Sequence, residues 1–356
     1  MKDADQGHVA YVDGLRALAV LAVVVCHSGA ATFGVAAGWR VCGARGVDLF
    51  FVISGFCLAH PSLSRRRSGS GEGTVAFGPF LRRRLARLGP SYYGAIALFA
   101  ILGMTGFGLP TAPMFHHAGL RGQMHEIVAD ALFMPSPQSL YNATFWTLGL
   151  ELQWYLVFPA LLALYVRQRL LFALAGVTFY VLYLATHVAP PIAGVLPCFM
   201  CGIVAADFRL SGKRLPTATL AFVALLLVLA IHAQLQQPAD VDHGDPLWHG
   251  VAFGIVLLAG SCSVAFTRML SARPLTFIGE RSYSIYLVHA PFLAFLGHAG
   301  IPWALAAVCA VGVGFLYWQI VERRFMQPGT RFYFEELPAR LDKVIFRLQR
   351  APEKAF

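Results

Sequence analysis

Apolar runs of about 17–25 residues, each long enough to cross a bilayer core as a helix, recur along nearly the whole chain and are separated by short polar breaks. They are placed at 11–33, 46–61, 90–109, 143–166, 169–187, 190–207, 216–235, 247–267, 282–299 and 301–321. About ten such runs predict an all-α fold, a polytopic integral membrane helix bundle in which every backbone polar group is satisfied within its own helix. A transmembrane domain is expected over 1–325 and a basic amphipathic cytoplasmic tail over 326–356. No soluble domain of useful size remains.

Composition agrees with this reading: 57% of the residues are hydrophobic and 13% are charged. The formal net charge of +10 sharpens the topology, because the positive charge alternates from loop to loop. Arg65, Arg66, Arg67, Arg82, Arg83, Arg84 and Arg87 precede the third run. Arg167 and Arg169, then Arg209, Lys213 and Arg214, then Arg268, Arg273 and Arg281 follow on the same side. The opposite loops are nearly free of Lys and Arg, and one carries Asp240, Asp242 and Asp245. Under the positive-inside rule both termini are expected in the cytoplasm, in an inner (plasma) membrane. The basic balance therefore needs no nucleic-acid partner; the bilayer accounts for it.

Ionisable groups inside the runs are few, and each is costly in lipid unless paired or facing a wet cavity. They are His27, Asp48, Glu151 and His289, with Ser54 and Gln153 as neutral polar groups and Glu322 at the last inner boundary. Arg16 lies eleven residues before His27, which closes three helical turns to within about 20° and separates the two by roughly 16 Å along one face. Asp48 and Glu151 fall in the outer halves of their runs, at a depth His27 shares. A carboxylate on one imidazole nitrogen would hold the tautomer and raise the basicity of the other, as general-base catalysis requires. The alternative for His27 is a satisfied core histidine. His289, with Tyr286 on the same face, either lines a site or bridges helices.

Other features carry less chemistry. Asp3 and Asp5 and the lack of a basic leader argue that the first run is retained. Cys198 and Cys201 sit beside Gly202 in an apolar run and read as small packing residues. The stretch 62–79, with Ser68, Gly69, Ser70 and Gly71, reads as a flexible cytoplasmic loop and not as a phosphate cradle. Leu341, Val344, Ile345 and Leu348 share one face of a predicted helix with Arg340, Lys343, Arg347 and Arg350 largely elsewhere, a pattern suited to an anionic inner leaflet.

Five words of sequence, in order, resemble the acyltransferase 3 family of integral membrane O-acyltransferases. They are Tyr11-Val-Asp-Gly-Leu-Arg16 followed by His27 after ten intervening residues, Gly46-Val-Asp-Leu-Phe-Phe-Val-Ile-Ser-Gly-Phe56, Arg84-Leu-Ala-Arg87-Leu-Gly-Pro90, Trp146-Thr-Leu-Gly-Leu-Glu151-Leu-Gln-Trp-Tyr155 and Ser282-Tyr-Ser-Ile-Tyr-Leu-Val-His289. The resemblance implies transfer of an acyl group, usually acetyl from cytoplasmic acetyl-CoA or another acyl-CoA, to a hydroxyl of a glycan or glycolipid. A small natural product is the alternative acceptor. It also implies an extracytoplasmic transferase partner in some members; none is expected to be fused after the tenth run here, so a separate one stays open.

On that reading His27 is the general base, Asp48 its orienter and Glu151 a further catalytic carboxylate. Arg16, Arg84 and Arg87 would hold the phosphates of CoA by forked guanidinium bonds, with an extended pantetheine arm bridging Arg16 and His27. No metal is needed for a thioester. Positive-inside topology alone would also supply Arg84 and Arg87. Ser54 reads as supporting close packing through Gly55, with an acyl-serine as the alternative. Trp146 and Tyr155 read as packing aromatics, with a substrate platform as the alternative, and Glu322 as a possible liner. A proton-coupled transporter or flippase for a glycan or lipid is the competing class, since buried His, Asp and Glu also build proton relays.

Overall fold

The computed structural model describes residues 9–32, 38–105, 119–134, 144–186, 191–213 and 246–326, together with Asn142 and isolated positions between 215 and 229. Within these residues the apolar runs fold as helices and there are no strands. We label them α1 (Ala10–Thr32), α2 (Gly38–Arg67), α3 (Phe77–Thr105), α4 (Gly119–Ala131), α5 (Phe145–Arg167), α6 (Arg169–Thr186), α7 (Pro191–Leu210), α8 (Pro246–Cys262), α9 (Val264–Leu270), α10 (Arg273–Glu280), α11 (Ser282–His298) and α12 (Trp303–Tyr317). A π-helical turn, Trp318–Glu322, continues α12.

Five of the described stretches are long and apolar enough to cross a membrane: Ala10–Gly29, Gly43–Arg67, Phe77–Thr105, Phe145–Arg167 and Trp303–Phe325. The bent pair His249–Gly260 and Val264–Leu270 adds a sixth if it forms one span. The chain is thus an all-helical, multi-pass membrane protein. Large apolar side chains such as Ile101, Leu170, Val177 and Val308 stand exposed on the helix exteriors, as a lipid-facing surface requires. Most of the expected run at 216–235, the acidic loop around Asp242, the tail helix at 339–350 and both termini lie outside the described residues.

Two boundaries differ from expectation. The stretch 62–79 is helical at both ends, leaving only 68–76 as the connection: α2 continues through Arg65, Arg66 and Arg67, and α3 begins at Phe77, thirteen residues before the expected start at Pro90. The reason lies in the prolines. Pro61, Pro90, Pro159, Pro197 and Pro291 all sit inside helices, where a bundle can re-satisfy the carbonyl that each leaves without its N–H. In α11 the partner is visible. Pro291 leaves the Leu287 carbonyl without a helical donor, and Asn142 Nδ2 donates to it at 2.8 Å.

Small residues let the helices meet backbone to backbone. A Cβ on Gly55 of α2 would lie 2.1 Å from the Phe199 carbonyl oxygen of α7, and one on Gly202 of α7 would lie 2.1 Å from the Val52 carbonyl oxygen of α2. The crossing is reciprocal and admits only glycine, which accords with the packing roles read for Gly55 and for the Cys198–Gly202 segment. At the arginine-rich end, Asp207 ties four helices together. It accepts from Arg67 at 2.7 Å, Arg169 at 2.8 Å and the Tyr165 hydroxyl at 2.8 Å. Two of the arginines counted for topology are therefore also ion-pair partners.

Candidate active site

α1, α2, α3, α5 and α11, with the π-helical turn, surround a cavity whose empty volume is about 1010 Å³ with its open mouth included. Its cationic wall is Arg16 from α1 and Arg84 and Arg87 from α3. The helical extension of α3 explains that selection. Arg84 and Arg87 are three residues apart and share a face, whereas Arg82 and Arg83, which precede them, are exposed and do not line the cavity. The Arg84 guanidinium stands 5.7 Å from the centroid of Phe80 and 6.0 Å from that of Tyr155, a cation–π setting that orients it. Arg16 is held by Asp13 at 3.0 Å, with its other nitrogen 3.4 Å from Cys57 Sγ.

The carboxylates of the lining are Glu151, Glu280 and Glu322, of which Glu280 is exposed and pairs with Arg281 at 3.2 Å. Glu151 accepts a hydrogen bond from the Tyr155 hydroxyl one turn along α5. Glu322 accepts from the Ser284 hydroxyl of α11, and the π-helical turn that carries it re-aims the side chain inward, a use to which such turns are often put. Ser54, Cys57, Thr147, Tyr155, Ser282, Tyr283 and Tyr286 complete the polar lining. Among the described residues no group of three or more His, Cys, Asp or Glu is placed to hold a metal ion.

The two imidazoles lie apart from this cavity's lining. His27 Nδ1 is 2.8 Å from His289 Nε2. Their centroids are 5.0 Å apart with 26° between the rings. A centroid distance that equals the contact plus one ring radius on each side means that the nitrogens face each other edge to edge. Tyr286 joins the two regions: it lines the cavity, and its ring centroid is 5.5 Å from that of His289. Its hydroxyl meets Thr147 Oγ1 at 2.7 Å and its ring meets the edge of Phe50 at 6.0 Å, both of them also cavity liners.

Two expectations are corrected by this geometry. Asp48 does not orient His27; its carboxylate is 2.5 Å from Arg45 Nη1 and 3.6 Å from His249 Nδ1, with Arg45 Nη1 also 2.5 Å from His249 Nδ1. Arg45 is one turn away on the same helix, so it reaches Asp48 before any neighbouring helix can. Trp146 packs against the hydrophobic core, as read, and does not line the cavity. Tyr155, read as a packing residue, does line it, because its hydroxyl follows Glu151. Arg16, Arg84, Arg87, Glu151, Ser54, Tyr286 and Glu322 are brought together as cavity liners. His27 and His289 are brought together as a pair beside it.

Sequence reasoning missed His249 and Arg45. The signals were present: His249 is a further polar residue inside an apolar run, and Arg45 stands three positions before Asp48, the spacing of a helical ion pair.

A family model described as an acyltransferase domain matches residues 9–321. The chain belongs to the acyltransferase 3 family. Its curated relatives include the peptidoglycan O-acetyltransferase OatA of Listeria monocytogenes, 26% identical over 326 residues that make up 80% of this chain and 49% of that protein. They also include the O-acetyltransferase OatA of Staphylococcus aureus, 25% identical over 319 residues, 80% of this chain and 50% of that protein. The chain spans about half the length of these relatives. No solved structure matches it.

Proposed function

We propose that this acyltransferase 3 protein is a membrane O-acetyltransferase that carries an acetyl group from cytoplasmic acetyl-CoA to a hydroxyl of a glycan or glycolipid. The observation that carries the reading is the cavity in which three arginines converge and which adjoins, through Tyr286, a pair of facing imidazoles. Guanidinium groups match the diphosphate and 3′-phosphate of CoA in charge and in forked geometry. The apolar part of the lining, with Phe50, Phe51, Ile53 and Leu58, suits the pantetheine arm.

In the reaction, the acceptor O–H bond breaks and its proton passes to His27 as the oxygen attacks the thioester carbonyl. The C–S bond then breaks, and CoA leaves as thiolate to be protonated by the imidazolium or by water. Glu151 and Glu322 help to place the arginines, and Asp48 has no part in the chemistry. Ten spans with both termini in the cytoplasm of a bacterial inner membrane would put the arginine cavity on the side where acetyl-CoA is found. The names of its relatives favour peptidoglycan as the acceptor, and a separate extracytoplasmic partner is compatible with this scheme.

The test is to incubate purified protein with radiolabelled acetyl-CoA and a panel of peptidoglycan fragments, glycolipids and small hydroxylated natural products, following free CoA and labelled product. His27→Ala is expected to abolish transfer while leaving membrane insertion intact. Transfer at the wild-type rate in that variant would remove His27 from the mechanism. Movement of an unacetylated glycan across proteoliposomes, with no CoA released, would favour a flippase instead.

A further inference from the structure

We infer that His289 is a positioning residue that sets the tautomer of His27, leaving His27 Nε2 as the basic nitrogen. The inference rests on the reading of His27 as the base, and it starts from backbone geometry. His289 Nδ1 lies 2.8 Å from the Tyr286 carbonyl oxygen and 3.2 Å from the Ile285 carbonyl oxygen, in the preceding turn of its own helix. A carbonyl oxygen can only accept, so His289 Nδ1 carries the hydrogen.

The remaining assignment follows along the pair. His289 is fully buried, and its described partners are two carbonyl groups and one imidazole, so the neutral ring is the form the site favours. A neutral imidazole protonated on Nδ1 presents a lone pair on Nε2. That lone pair faces His27 Nδ1 at 2.8 Å, which must then be the donor. His27 Nδ1 therefore carries a hydrogen and His27 Nε2 does not. This is the service that the sequence suggested a carboxylate would perform, supplied here by a helix backbone through a second histidine and without a buried negative charge. A half-buried His27 against a fully buried His289 fits the division of labour, with the more accessible ring reacting and the enclosed ring holding it.

The experiment uses the full chain in detergent, uniformly labelled with ¹⁵N-histidine, with the His27 signals assigned by their loss in His27→Ala. In the wild type the His27 resonances are expected to report a protonated Nδ1 and an unprotonated Nε2. In His289→Leu, which removes the acceptor but keeps the volume, the His27 signals should move toward the other tautomer. Turnover of acetyl-CoA with soluble peptidoglycan fragments should fall about 100-fold or more, the scale on which wrong-tautomer and ligand-orienting defects act, with CoA affinity unchanged. His289→Gln, whose amide oxygen can replace the acceptor, should restore the tautomer and at least tenfold of the lost rate.

A His27 tautomer unchanged in His289→Leu would overturn the proposal, as would a loss of rate in His289→Leu that His289→Gln does not relieve. If His289→Leu shifts the tautomer while His27→Ala stays active, the positioning contact stands and it is the base assignment that fails. The two ideas are thereby separated.

Discussion

Asp48 and Glu151 are both carboxylates on apolar helices, and from the sequence each is an equal candidate for the same catalytic task. Their surroundings assign them opposite ones. Asp48 sits among Arg45 and His249, with side chains only 11%, 8% and 2% exposed respectively, and it does not line the cavity. Glu151 shares its cavity with Arg16, Arg84 and Arg87, and it accepts a hydrogen bond from a phenol. The difference is one of local supply: Asp48 finds a guanidinium one turn away on α2, whereas one turn from Glu151 on α5 stands Tyr155. A buried charge closed by its own neighbour acts as a clamp between helices, here α2 and α8. A buried charge left facing a polar cavity is placed to act on whatever occupies it.

The comparison would break first if the two carboxylates were exchanged by amides. Asp48→Asn leaves Arg45 buried with a weaker partner, and removing one member of a buried pair costs about 3–5 kcal/mol. Its thermal unfolding midpoint should fall markedly, while the residual folded protein keeps near-normal turnover per molecule. Glu151→Gln should do the reverse: turnover should fall by roughly 100-fold, as expected when a site's charge placement is lost, with little change in the midpoint. Equal effects on stability and turnover in both variants would erase the distinction.

A smaller effect concerns the cations that Glu151 accompanies. Replacing Arg84 and Arg87 together by Gln should weaken CoA binding by more than tenfold, since a charge-assisted hydrogen bond contributes about 1.5–3 kcal/mol. The difference from wild type should shrink as salt is raised, because Arg87 is exposed. Isothermal titration at low and high ionic strength would read both. Unchanged affinity would return the two arginines to a purely topological role.

The mildest test only asks where the donor lies. Cys57 lines the cavity beside Arg16 and is half-buried. Saturating CoA should slow its alkylation by N-ethylmaleimide severalfold and leave Cys309, which does not line the cavity, at its usual rate. Equal protection of both, or of neither, would place the donor elsewhere.

Much of this protein was legible in the chain before any helix was packed. Long apolar runs demand helices because lipid offers the backbone no other partner. The five motifs that resemble the family carry Arg16, Arg84, Arg87, Glu151 and Tyr286 into one cavity. Gly55 was readable as a packing residue because small residues are what closely crossing helices require.

What the chain alone left open was which buried polar group meets which. Depth along a helix can be counted, but the rotation of one helix against another is decided by packing. His27 could have met Asp48, Glu151 or His289. The pairing with His289 comes from how α1 lies on α11, and the diversion of Asp48 comes from α8 bringing His249 to the turn where Arg45 already stood. Counting residues could place an imidazole and a carboxylate at the same depth, but only the tertiary structure determined which nitrogen of His27 is held and by what, because a hydrogen bond depends on direction as well as on depth.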